Sequence, residues 1–134
     1  MTEQENVRIA QEGYAAFIRG DIAAVLGFYT PDAVFISNGP AGVTPWVGTY
    51  TGHDEMMQFF ARLAENFEYE SYTPEEYIAQ DDKIAVIVRS VGTFKSTGKR
   101  IESNAVHVWT MQDGKITRFE IFDDNSTLFL GLMA

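Results

Sequence analysis

Hydrophobic positions change their rhythm halfway along this chain. From Asn6 to Arg19 the apolar residues Val7, Ala10, Tyr14, Phe17 and Ile18 recur at the i, i+3, i+4, i+7 spacing of one helix face. Gly20 follows as the residue that ends such a helix, and Asp21 caps a second helix over roughly 22–29, stopped by Pro31. A short strand is predicted over 33–37, then a long loop holding Gly39, Pro40, Gly42, Pro45 and Gly48. A third helix starts near Gly52-His53-Asp54, with acids in its first turn where the helix dipole favours them. Its core stripe is Met56, Phe59, Phe60, Leu63 and Phe67.

Beyond Phe67 the period drops to two. Strands are predicted over 67–80, 83–95, 100–112 and 115–124, broken by Asp81-Asp82, Thr97-Gly98 and Asp113-Gly114. Such breaks mark hairpins, and successive hairpins make an antiparallel meander. Helices first and then one curved antiparallel sheet is an α+β layout, with about three N-terminal helices on one sheet face. A strongly bent sheet wrapped around helices encloses a cone with an apolar cavity.

Composition narrows the function more than the fold. The 134 residues are 46% hydrophobic and 22% charged, an ordinary balance for one globular domain over 1–134. The net charge of −9 opposes the phosphate contacts on which nucleic-acid binders depend, so no nucleic-acid partner is expected. The one basic cluster, Lys95, Lys99 and Arg100, surrounds a turn and is expected to be a solvated hairpin tip. No run approaches the ~18–20 apolar residues of a membrane span. The polar start from Met1 to Arg8 is unlike a secretory or transit peptide, so a cytoplasmic location is expected. Without cysteine there is no thiolate chemistry, and His53 and His107 sit on different elements without metal-ligand spacing. His53 is expected to be a surface residue at a helix start.

The order of elements resembles the nuclear transport factor two-like superfamily, and within it the SnoaL-like and ketosteroid-isomerase-related branch. The likeness is carried by Gly20-Asp21-Ile22, by Tyr29-Thr30-Pro31-Asp32-Ala33-Val34 and by Gly48-Thr49-Tyr50-Thr51-Gly52-His53. It continues in His107-Val108-Trp109-Thr110, Asp113-Gly114-Lys115-Ile116 and Phe122-Asp123-Asp124. The resemblance implies acid–base groups inside the cone, a hydrophobic small-molecule ligand, no cofactor and a homodimer. The fold also hosts binding proteins without chemistry, so the site must be argued from its residues.

Two registers are open for the last hairpin. A two-residue turn pairs Gln112 with Lys115, whereas a three-residue turn with a bulge at Gly114 places His107 opposite Phe119. The resemblance favours the second, because relatives face the cavity with the odd-numbered positions of both strands. Ser103, Ala105, His107 and Trp109 then share a face with Thr117, Phe119, Ile121 and Asp123. Asp123, at the end of an apolar row, is the candidate acid or base, its alternative role being to cap the following turn. His107 falls about where ketosteroid isomerases keep a protonated acid, and is the candidate oxyanion donor. In that register the two lie roughly a dozen Å apart at ~3.3 Å per residue.

The departures are informative too. Ser37 stands where ketosteroid isomerases have their base, and Val88 and Ser90 align with the Arg and Asp of epoxide hydrolases of this fold. The second acid of those hydrolases aligns with Ile121, and the acid of the cyclases falls apparently two residues from Asp123. Candidate pocket residues are Tyr14, Phe17, Phe35, Trp46, Tyr50, Phe59 and Trp109, joined by the inward Phe119 and Ile121. Asp124 is expected to be structural. Val91, Val106, Val108 and Phe122 leave apolar groups on the outer sheet face, which is the expected dimer surface. The apolar tail Leu128-Phe129-Leu130-Gly131-Leu132-Met133 is expected to close the cone or join that interface. The leading expectation is a cofactor-free isomerase or aldol cyclase. The alternatives are a binding module and a dimeric interaction domain.

Overall fold

Thr2 starts the first helix, its Oγ1 accepting the Glu5 N–H at 3.1 Å, and α1 runs over Glu3–Ile18 in a computed structural model that describes residues 1–133. The chain leaves it through Gly20 at φ 78°, the left-handed conformation that glycine adopts without strain. Asp21 then caps α2 (Ile22–Gly27) by accepting the Ala24 N–H at 3.1 Å. The buried face of α1 comprises Asn6, Ala10, Gly13, Tyr14 and Ala16, slightly rotated from the predicted stripe, so Ile18 is 56% exposed. Gly13 permits the close approach of α1 to the sheet, since a Cβ there would lie 3.0 Å from the Trp109 ring.

The remaining elements are β1 (Tyr29–Asn38), β2 (Gly48–Thr51), α3 (Gly52–Asn66), β3 (Phe67–Gln80), β4 (Lys83–Phe94), β5 (Arg100–Gln112), β6 (Lys115–Asp123) and α4 (Asn125–Leu132). Six strands form one open sheet in the order β2-β1-β6-β5-β4-β3, covered on its inner face by helices. The architecture is the expected α+β one, with a difference at one seam. β1 runs parallel to β6, pairing Phe35 with Phe119 and Ser37 with Ile121, while the other four pairings are antiparallel. Hairpin punctuation fixes the direction of neighbours in sequence, but β1 meets β6 after some eighty residues of intervening chain, and no local signal records that encounter. β2, which hydrogen-bonds the edge of β1, falls within the stretch read as loop.

Register shifts bend the sheet at four places: at Tyr29/Val34 in β1, at Tyr69/Ser71 and Pro74/Glu76 in β3, and between Thr110 and Met111 opposite β6. Pro74 is tolerated because β3 is an edge strand, and the outward glutamates 68, 70, 75 and 76 discourage pairing with another edge. The basic cluster is used locally. Lys95 Nζ donates to Ala64 O at 2.7 Å, Lys99 Nζ donates to Met133 O, and Arg100 pairs with Glu70 at 2.9 Å.

The apolar tail forms α4. Asp124 caps it, accepting the Thr127 N–H at 3.2 Å and the Thr127 hydroxyl at 2.7 Å, which holds the Asp124 carboxyl below its ordinary range. Gly131 packs so close to Phe94 and Ile101 that an added Cβ would meet their side chains at 2.8 and 2.9 Å. Leu128 is buried under this helix, while Phe129, Leu130 and Met133 stay exposed. No described helix is long and apolar enough to cross a membrane.

Candidate active site

Between the inner sheet face and α1–α3 lies an apolar hollow with an open mouth. Strand pairing arranges the inner face of the sheet in rows, some of whose members line the hollow. Tyr72, Ser90 and Ser103 lie in one row across β3, β4 and β5. Val88, Ala105 and Asp123 make the next row, followed by Val86, His107, Ile121 and Ser37. Ile84, Trp109, Phe119 and Phe35 close the series. Tyr14 and Phe17 from α1 and Phe59 and Phe60 from α3 face this wall across the hollow.

Inward parity of the odd positions holds on β5 and, on β6, from Phe119 onward but not at Thr117, and its cause differs from the expected one. Asp113 at φ 49° and Gly114 at φ 78° make a two-residue turn that pairs Gln112 with Lys115. The bulge comes later. Met111 pairs with Ile116 and Thr110 with Arg118, leaving Thr117 as the extra residue, its hydroxyl donating to Thr110 O at 3.3 Å. Ile116 therefore turns inward and Thr117 does not line the hollow. Beyond the bulge His107 lies opposite Ile121, not Phe119, and Asp123 lies opposite Ala105. Two residues rather than four separate His107 and Asp123 along the wall, a diagonal of roughly 7 Å between Cα atoms.

His107 is buried and its hydrogen bonds define its proton. The Trp109 Nε1–H donates to the Tyr14 hydroxyl at 3.1 Å, and that hydroxyl is 2.7 Å from His107 Nδ1. The phenol oxygen accepts from the indole, and Nδ1 is the one acceptor among the described residues for the buried phenol's own proton, so that proton is donated to Nδ1. His107 thus carries its proton on Nε2. Burial lowers its pKa to about 3, so the ring is neutral at physiological pH, and burial likewise keeps the Tyr14 phenol protonated. Tyr14 stacks at 25° on the imidazole and Phe119 meets it edge-on at 5.0 Å, so the ring is held on both sides. Among the described residues no group pairs with Nε2, which leaves one N–H donor for a ligand.

Asp123 supplies the complementary group. Burial raises its carboxyl from 3.8 to about 6, and the neighbouring charge of Asp124 adds to the rise. The charge of Asp123 also contributes to raising the Tyr69 and Tyr72 phenols, so all three share one electrostatic environment. Among the described residues no three His, Asp or Glu side chains gather as a metal-binding set.

Comparison with known proteins places this geometry. The SnoaL-like domain family matches residues 10–119, from within α1 to within β6. The chain belongs to that family. A nuclear transport factor two-like protein from Burkholderia xenovorans LB400 is 30% identical with a TM-score of 0.88, covering 99% of both chains. Another such protein, of unknown function, from Burkholderia pseudomallei K96243 is 28% identical over 100% of both chains, TM-score 0.87. TerC, co-crystallised with polyporic acid, is 26% identical over 97% of this chain and 99% of its own, TM-score 0.84. A comparison with curated proteins finds no match.

Within this SnoaL-like fold the candidate residues divide clearly. Asp123 and His107 line the hollow together with Tyr14, Phe17, Phe35, Trp46, Phe59 and Trp109, and so do Val88, Ser90, Phe119 and Ile121. Ser37 and Tyr50 are buried but do not line it. Ser37 is pinned between Gly48 and Ile121 at the β2 side of the sheet. Tyr50 is held on that side by donating to Trp46 O at 2.8 Å and accepting from Arg62 at 3.1 Å. His53 contacts Tyr29 O at 3.2 Å at the start of α3, away from the hollow. Tyr69, Tyr72 and Ser103 line the hollow but were not among the candidate site residues. The parity of β5 already put Ser103 inside, whereas the two bulges in β3 hide Tyr69 and Tyr72 from a simple alternation.

Proposed function

We propose that this SnoaL-like protein is a cofactor-free enzyme that moves a proton at a carbon beside a carbonyl group, leading to isomerisation or aldol cyclisation of a hydrophobic small molecule. The observation that carries the reading is the pairing, two residues apart on one wall of an apolar hollow, of a carboxyl raised to about 6 and a neutral Nε2–H donor. Asp123 as carboxylate takes the carbon-bound proton and becomes the acid. Negative charge gathers on the carbonyl oxygen, where His107 Nε2–H donates a hydrogen bond without giving up its proton. Asp123 then returns the proton to another carbon, or the enolate attacks a second carbonyl and the new alkoxide takes it. A base with a pKa near neutrality suits this task, being ionised at working pH and still basic. Co-crystallisation of a relative, TerC, with polyporic acid supports a small organic molecule as the kind of ligand.

The test is deuterium exchange of 2-tetralone in D2O followed by NMR. The wild-type protein should accelerate it with a rate rising through pH ~6, and Asp123→Asn should lose ~10²–10⁴ of that acceleration. Ser37, in place of the ketosteroid isomerase base, favours a second reading as a binding protein without chemistry. Ligand binding with no acceleration of exchange would select it. The same proposal includes a homodimer through the outer sheet face, where Val106 is 39% and Phe122 45% exposed beside Ile87 and Val108.

A further inference from the structure

The row of Tyr72, Ser90 and Ser103 has no task in the chemistry above. Ser90 and Ser103 are directly opposed across β4 and β5, both line the hollow, and among the described residues neither makes a side-chain hydrogen bond. Ser103 is only 8% exposed and its Oγ has no partner among them. A buried hydroxyl left unpaired is disfavoured, so one facing a ligand hollow is best explained by what the ligand brings to it. Ser103 is four residues from His107 along β5, which sets the two polar stations roughly 13 Å apart at ~3.3 Å per residue. Asp123, opposite Ala105, lies between them. No Lys or Arg lines the hollow among the described residues, and Asp123 would repel an anion.

We infer that Ser103 and Ser90 form a second binding station, and that the ligand is an uncharged, elongated, largely apolar molecule with an oxygen function at each end, one on His107 Nε2–H and the other on the serine pair. This rests on the hollow being the ligand site proposed above. The reacting carbon then sits mid-length over Asp123, and a ligand with oxygen at one end only would bind without being held in that frame.

The inference is tested by calorimetric binding of two probes, 4,4′-biphenol and 4-phenylphenol, which share a body and differ in one terminal hydroxyl. Wild-type protein should favour the biphenol about five- to tenfold, the scale of one neutral hydrogen bond. The double variant Ser90→Ala, Ser103→Ala should reduce that preference to about the twofold expected from two equivalent ends, leaving 4-phenylphenol affinity unchanged and so showing that the hollow is intact. If the wild type does not distinguish the probes, or the variant keeps the preference, the serine station is wrong while the hollow remains a ligand site. If neither probe binds the wild type, both this inference and the ligand site on which it rests fall.

Discussion

Replacing Asp123 with Asn removes a carboxyl that the fold holds protonated beyond its ordinary range, and the consequence is visible in stability without any substrate. The unfolded chain releases this proton near 3.8 and the folded protein near 6. Between those values the folded state binds more protons, so raising the pH through the window lowers the free energy of unfolding. The gap, at ~1.36 kcal/mol per pH unit, sets a ceiling of about 3 kcal/mol on the destabilisation present once Asp123 is ionised. Partial access of water to the mouth trims this, so about 1–3 kcal/mol is expected. Asn never ionises. Urea unfolding of wild type and Asp123→Asn from pH 4 to 8 should therefore show a difference that is already growing in favour of the variant at pH 4, continues to grow to about pH 6 and levels by about pH 7. Carboxylates that do not interact with Asp123 cancel in the subtraction; Asp124, which does, does not cancel. A difference that stays flat over the whole range would refute the burial of this group and, with it, the basis for its role as a base.

His107 should act in the opposite window. Its folded pKa of about 3 lies below the ordinary 6.5, so the unfolded chain takes up the proton first and stability is lost as pH falls below 6.5; His107→Gln should lack that slope in the same unfolding series. Tyr14→Phe should leave Nδ1 without a donor, costing about 1–3 kcal/mol, and should release the imidazole from its single tautomer, as read by ¹⁵N NMR of His107. Gly92→Ala should lower the melting temperature sharply, because its Cβ would fall 2.3 Å from the Phe67 ring and 2.6 Å from Glu68 O. Val106→Lys on the outer sheet face should convert a wild-type dimer to a monomer in light scattering; a wild type that is already monomeric at high micromolar concentration would end the dimer proposal.

Much of this architecture was legible because its signals are local. The Asp81-Asp82, Thr97-Gly98 and Asp113-Gly114 turns separate four strands whose ends fall within a residue or so of those predicted, and the α3 stripe from Met56 to Leu63 faces inward as read, while Phe67, read as its last member, is buried as the first residue of β3. What was missed depends on distant encounters or on a single extra residue. The direction of β1 against β6 and the recruitment of β2 are set by tertiary pairing. α4 escaped because Leu128-Phe129-Leu130 is apolar on every side and shows no period, although Asp124 followed three residues later by Thr127 was a usable cap signal. The site was half legible. Parity put His107, Asp123 and Ser103 inside, but their spacing needed the true position of the bulge, and Tyr14 as the partner of His107 belongs to an element some ninety residues away.

Thr117 matters beyond its own contacts. Alternation along a strand is a two-letter code, and one inserted residue shifts its reading frame. Pair Thr117 with Thr110 instead of bulging it out, keeping the Asp113-Gly114 turn, and every later position on β6 changes sides: Arg118, Glu120, Phe122 and Asp124 would face the helices, and Asp123 would face outward. The fold could not bury three charges in an apolar core, so that frame is closed to this sequence. In a chain whose β6 carried apolar residues on both faces, pairing the bulged residue would exchange one complete set of wall side chains for another, with the turn, the strand order and the helices left as they are.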